Sequence, residues 1–205
     1  SVMALLLGSL FVPIPVGADS TDHWQRLTQE GSAAREQARY TEAEQLFLKA
    51  SLELERFGRT DERVATTLNN LGLVYHEQGQ HARAQSHYER ALAIWEQVLG
   101  AEHIDVATSL HNLAELYLQE GELERAESYY LRSLAIGEWV LGAGHPRLAF
   151  GYNGLGLLYR RQGHLARAES RFHIALALLE SRDGAESADT APILNNLASL
   201  YKEKE

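Results

Sequence analysis

The sequence predicts an all-α solenoid: antiparallel helix pairs stacked in a row, four repeats plus a half repeat. Three observations carry this. Tyr75, Tyr117, Tyr159 and Tyr201 stand 42 residues apart, and Ala84, Ala126 and Ala168 keep the same interval. A fixed period of this length marks supersecondary units that bury their apolar faces on one another. Within each period the apolar residues recur three and four apart, which places them on one face of a helix. The composition agrees: only 4 prolines interrupt 205 residues rich in Ala, Leu, Glu and Gln, the strong helix formers.

Residues 1–18 precede the repeats. This stretch is uncharged and apolar from Val2 to Val16, and Val16-Gly17-Ala18 before Asp19 has the small residues of a signal-peptide cleavage site. It is shorter than the roughly 20 residues a spanning helix needs, and Pro13 and Pro15 would break it as a helix. Its positive n-region is missing. An export signal is the expectation, with an uncleaved anchor or a buried N-terminal helix as alternatives. The mature chain is then expected outside the cytoplasm of a bacterium, periplasmic or extracellular, without membrane insertion. It is cytoplasmic if residues 1–18 are not a signal.

The first unit, residues 22–60, is degenerate. Leu27, Gly31, Ala43, Phe47 and Ala50 fit the pattern, but Glu30 and Ala34 stand where later units have Leu and Tyr. Its second-helix markers precede those of the next unit by 41 residues rather than 42. A polar, irregular first unit suits a terminal cap, which has one face without a neighbour. The second unit, 61–103, is the clearest. Leu68, Leu71, Gly72 and Tyr75 mark its first helix, Gly79 ends that helix, and Ala84, Tyr88, Ala91 and Leu92 mark its second. The third, 104–145, and the fourth, 146–187, repeat it. Residues 188–205 carry the first helix only, with Leu194, Leu197, Ala198 and Tyr201.

The motif Leu-x-x-Leu-Gly/Ala-x-x-Tyr, then Gly-x-x-x-x-Ala-x-x-x-Tyr/Phe-x-x-Ala, is similar to the tetratricopeptide repeat (TPR). The longer unit, with Leu68-Asn69-Asn70-Leu71-Gly72 and linkers such as Leu99-Gly100-Ala101-Glu102-His103, resembles the kinesin light chain type. That resemblance implies a right-handed solenoid whose first helices line a concave groove. The groove would hold an extended peptide or a partner helix.

Helical spacing leaves a second set of first-helix residues off the core stripe: Asn69, Asn70, Leu73, His76, His111, Asn112, Glu115, Asn153, Arg160, Arg161, Asn195 and Asn196. These are the expected peptide-binding residues. Asn is a poor helix former, so its recurrence in mid-helix needs a reason. An amide both donates and accepts, so it can hold a peptide backbone without reading its sequence; it can equally bond neighbouring helices. Gly154 interrupts the series. Arg160, Arg161 and Lys202 place positive charge at one end of the groove, and Glu77 and Glu115 lie nearer the other.

A net charge of −9 argues against nucleic-acid binding, which draws its affinity from basic surface. The absence of cysteine excludes thiolate metal sites, disulfides and a Cys nucleophile. The nine histidines lack the helical spacing of a zinc pair. Gly151-Tyr-Asn-Gly154-Leu-Gly156 has no preceding strand, so it is no phosphate loop, and no Gly-x-Ser-x-Gly elbow occurs. No metal, cofactor or catalytic residue is expected. Trp24, Trp95 and Trp139 read as packing residues. The functional expectation is a non-catalytic scaffold for protein or peptide partners. The alternatives are a self-association module stacking through the terminal half repeat, and the regulatory arm of a longer enzyme.

Overall fold

The computed structural model describes residues 19–54, 61–183 and 188–204. The N-terminal segment 1–18, with its expected export signal, lies outside them. Nine α-helices occur among the described residues: α1 (Asp19–Glu36), α2 (Tyr40–Leu54), α3 (Glu62–Glu77), α4 (His81–Leu99), α5 (Ile104–Glu120), α6 (Leu123–Leu141), α7 (Leu148–Arg161), α8 (Leu165–Asp183) and α9 (Ala191–Lys204). The odd-numbered helices are the A helices of successive repeats, and the even-numbered ones are the B helices. No strand is present among the described residues.

The first four A helices each stop at a left-handed turn. Gly79, Gly121 and Gly163 have φ of +73°, +84° and +78°, a conformation that crowds any Cβ. In the first unit the same position, one 41-residue step earlier, is Ala38, with φ +56°. It still closes the turn: Ala38 N–H donates to the Arg35 carbonyl and Arg39 N–H to the Ala34 carbonyl, as Gly79 and Gln80 do to His76 and Tyr75. The linker histidines start the next A helices. His103 Nδ1 accepts from the Asp105 N–H at 3.3 Å, and His145 Nδ1 accepts from the Arg147 N–H at 3.2 Å.

Glycine sets the A–B spacing within a unit. A Cβ on Gly72 would lie 2.5 Å from the Tyr88 ring, one on Gly156 2.4 Å from the Phe172 ring, and one on Gly31 2.8 Å from the Phe47 ring. In each case the aromatic residue follows 16 positions later, and all three rings are fully buried. The third unit has Ala114 at this position. Its methyl denies Tyr130 the place that Tyr88 takes on Gly72. Tyr130 instead fills the space over Gly154 of the next repeat, where a Cβ would lie 2.5 Å from the ring and 2.6 Å from its hydroxyl oxygen. The break in the asparagine series thus makes room for a ring that the preceding repeat cannot seat.

The stack curves. Backbones of successive A helices approach within 8 Å, while those of successive B helices do not. The A helices therefore form the inner, concave side. Along one edge each junction carries a repeating contact. Tyr75, Tyr117 and Tyr159 accept from Arg83, Arg125 and Arg167, whose guanidinium carbons sit 3.7, 4.0 and 3.8 Å from the ring centroids. The Tyr75 and Tyr159 hydroxyls donate to Glu44 and Glu127 of the preceding B helix, at 2.9 and 2.8 Å. Gln85 fills that glutamate position beside Tyr117. Trp24 and Trp95 pack as expected, Trp24 donating to Thr67 at 3.0 Å and Trp95 lying buried. Trp139 does not: it is 78% exposed on the convex side. Its packing assignment is therefore corrected, because α6 turns that face away from the other described helices.

Candidate functional site

The concave face is built from one helical turn of each A helix, and contacts across it run one period plus one. Asn112 Nδ2 donates to Asn69 Oδ1 at 2.9 Å, joining α5 to α3. Asn196 Nδ2 donates to Asn153 Oδ1 at 2.9 Å, joining α9 to α7. Both pairs are 43 residues apart. Asn69 is 6% exposed, so its amide is held between helices, while Asn112, Asn153 and Asn196 are half-buried. At the junction between them, α5 to α7, the corresponding residues are His111 and Gly154. There the Tyr130 ring packs against the His111 ring at 5.7 Å, and its hydroxyl donates to Glu115 at 2.5 Å. Burial lowers the His111 pKa, and Glu115 opposes this. The imidazole is therefore neutral at pH 7.

Two cavities open on this face in the same register. One, about 460 Å³, lies between α3 and α5 and is lined by Leu73, His76, Glu77, Asn112, Glu115 and Gln119. The other, about 370 Å³, lies between α7 and α9 and is lined by Leu157, Arg160, Arg161 and Glu203. Leu73, His76, Glu77 and Gln119 map onto Leu157, Arg160, Arg161 and Glu203 by two periods of 42. The junction between them is closed by Tyr130 and by Arg161, which donates to the Leu118 carbonyl at the end of α5.

The structure thus gathers Leu73, His76, Asn112 and Glu115 round one cavity, and Arg160 and Arg161 round the other. His111 instead lines a third, apolar cavity of about 310 Å³ between α5, α6 and α7, with Phe150 and Arg147 at its edge. Asn70 and Asn195 line none of these, and Asn195 is exposed. Glu203, which falls at the repeat position of the groove-facing Gln119, was not among the expected residues. Both residues sit at the last turn of their helices, and the signal that marks them is their 84-residue separation, the same as that of Leu73 and Leu157. Among the described residues no three histidine or carboxylate side chains are placed to hold a metal ion, and no helix is long and apolar enough to cross a membrane.

The repeat pattern, the Gly/aromatic seam and the A-helix face agree with one family, and its sequence profile matches residues 26–94, 63–138 and 121–181. The chain belongs to the tetratricopeptide repeat family. TPR chains are generally non-catalytic scaffolds that bind proteins or peptides. No curated protein matches this TPR chain by sequence. Several solved TPR structures share its fold. BtubC (BKLC) from P. vanneervenii is 24% identical with a TM-score of 0.74, over 89% of this chain and 80% of that one. Nearly identical TPR-like repeats of a Podosopora anserina kinesin light chain are 20% identical with a TM-score of 0.70, over 88% and 86%. The pilF protein of Pseudomonas aeruginosa is 19% identical with a TM-score of 0.68, over 91% and 72%. At these identities the likeness shows the fold alone, and the Podosopora anserina structure bears the kinesin light chain name of the repeat type that the 42-residue unit resembles.

Proposed function

We propose that this TPR chain is a non-catalytic scaffold that holds an extended peptide segment of a protein partner along its concave face. The observation that carries this reading is the pair of cavities in one register, between α3 and α5 and between α7 and α9. Each has a half-buried leucine at its base, Leu73 or Leu157, ringed by hydrogen-bonding side chains. That is the composition of a site that seats one side chain and orients it by polar contacts. An extended chain puts alternate side chains on one face, so pockets along a groove select side chains while amides such as Asn112 and Asn196 meet its backbone. Selection of a random dodecapeptide library on the immobilised full chain tests this. Peptides are expected to be retained, and a Leu73→Asp, Leu157→Asp double variant that keeps its helical circular dichroism is expected to lose them. Equal retention by that variant refutes the groove.

One observation favours a second reading. Leu194 and Tyr201 on α9 are 45% and 43% exposed, while Leu68 and Tyr75 at the same repeat positions are 5% and 1% exposed under their B helix. A second copy stacking on this face would cover them. Light scattering over a concentration series decides: the mass rises with concentration and Tyr201→Asp abolishes the rise, or the chain stays monomeric and the reading fails.

A further inference from the structure

The two groove cavities are copies of one site with the charge reversed. Glu77 at the first becomes Arg161 at the second, and His76 becomes Arg160. Each keeps one charge without an ion-pair partner among the described residues. In the first, Glu77 is paired with Arg35 at 2.7 Å. Glu115 has no ion-pair partner among the described residues; its hydrogen bond is to the neutral Tyr130 hydroxyl. In the second, Arg160 is paired with Glu203 through Nε at 2.8 Å and Nη2 at 2.5 Å. Arg161 meets only the Leu118 carbonyl, and no carboxylate among the described residues reaches it.

We infer that the cavities are a charge-sorted pair: the one between α3 and α5 takes an arginine side chain of an extended partner segment, and the one between α7 and α9 takes an acidic side chain of the same segment. This rests on the groove reading above. A guanidinium suits the first cavity because it brings several N–H donors to a set of acceptors: Glu115, Gln119 Oε1 and Asn112 Oδ1. The second cavity presents donors from Arg161 to a carboxylate. Two A-helix steps of roughly 9 Å separate the cavities. At about 3.3 Å per residue an extended chain covers that distance in about six residues. The segment that fits is thus a polar stretch with one arginine and one Asp or Glu about six positions apart.

Sequencing of the dodecapeptides retained by the full chain tests this, followed by fluorescence anisotropy of the most enriched one. The expected set carries an arginine and a carboxylate about six residues apart. Replacing either by glutamine in the peptide should weaken binding about fivefold, the scale of a partly exposed charge pair. Glu115→Gln, which keeps an acceptor for Tyr130, should remove the effect of the arginine and leave that of the carboxylate; Arg161→Gln should do the reverse. If peptides are retained, and lost by the Leu73→Asp, Leu157→Asp variant, but carry no such charge pair, the groove stands and the charge sorting is overturned. If no peptide is retained, both fall.

Discussion

Substituting Gly154 by alanine isolates the packing rule that shapes the middle of the solenoid. On a plain helix the change stabilises by roughly 0.5–1 kcal/mol, since glycine has the larger conformational entropy to lose. Here the new methyl would lie 2.5 Å from two ring carbons of Tyr130 and 2.6 Å from its oxygen. Such overpacking costs typically 1–3 kcal/mol. The net expectation is a loss of about 1–2 kcal/mol, or roughly 2–8 °C in Tm for a chain of this size. The escape route is specific. Ala114→Gly should reopen on α5 the seat that Gly72 gives Tyr88, so the two changes should couple. Urea denaturation of the four chains in the cycle measures this. The double variant should be at least about 1 kcal/mol more stable than the sum of the single effects predicts. Additive effects, or a Gly154→Ala chain more stable than the parent, would refute the claim that Gly154 answers Ala114.

Three further outcomes follow from the same geometry. Ala38→Gly should stabilise the chain by about 1 kcal/mol by relieving a left-handed alanine, while Gly121→Ala at the matching turn should destabilise it, as thermal unfolding would show. Asn112→Ala strands the buried Asn69 amide and should cost about 1–3 kcal/mol, and much of that cost should disappear when Asn69 is also alanine. Tyr75 and Tyr117 have pKa values raised to about 12, chiefly by burial. The unfolded phenol titrates near 10, so the folded state holds the proton more tightly. Their stabilisation is full below pH 10 and is lost as pH rises from 10 towards 12. Denaturation followed across that window should show a steep loss in the parent and a shallower one in a Tyr75→Phe, Tyr117→Phe chain.

The solenoid was legible because its builders are periodic. Leu68, Leu71, Gly72, Tyr75, Ala84 and Tyr88 recur at 42 and lie buried together, apart from substitutions such as Ala114 that change the fit without changing the fold. What a single period hides is the contact between repeats. Asn69 meets Asn112, Arg160 meets Glu203 and Arg161 meets the Leu118 carbonyl at 43, one residue beyond the period. The period therefore leaves open whether the amides face a peptide or one another, and the structure bonds two pairs of them. The Ala38 turn was hidden by the 41-residue first step. The cavities depend on which side chains lean across a junction, as Tyr130 and Arg161 do, and that direction is a packing outcome. Arg83, Arg125 and Arg167 were readable at 42, but their partners on the preceding B helix emerge only once the stack is built.

The claim that the concave face is the binding surface is tested most directly by mapping a bound peptide. In an isotope-labelled chain titrated with its most enriched dodecapeptide, amide shifts should cluster on α3, α5, α7 and α9, around Leu73, Asn112, Glu115, Leu157 and Arg161. Shifts confined to the convex side of α4 and α6, around Trp139, would contradict the account.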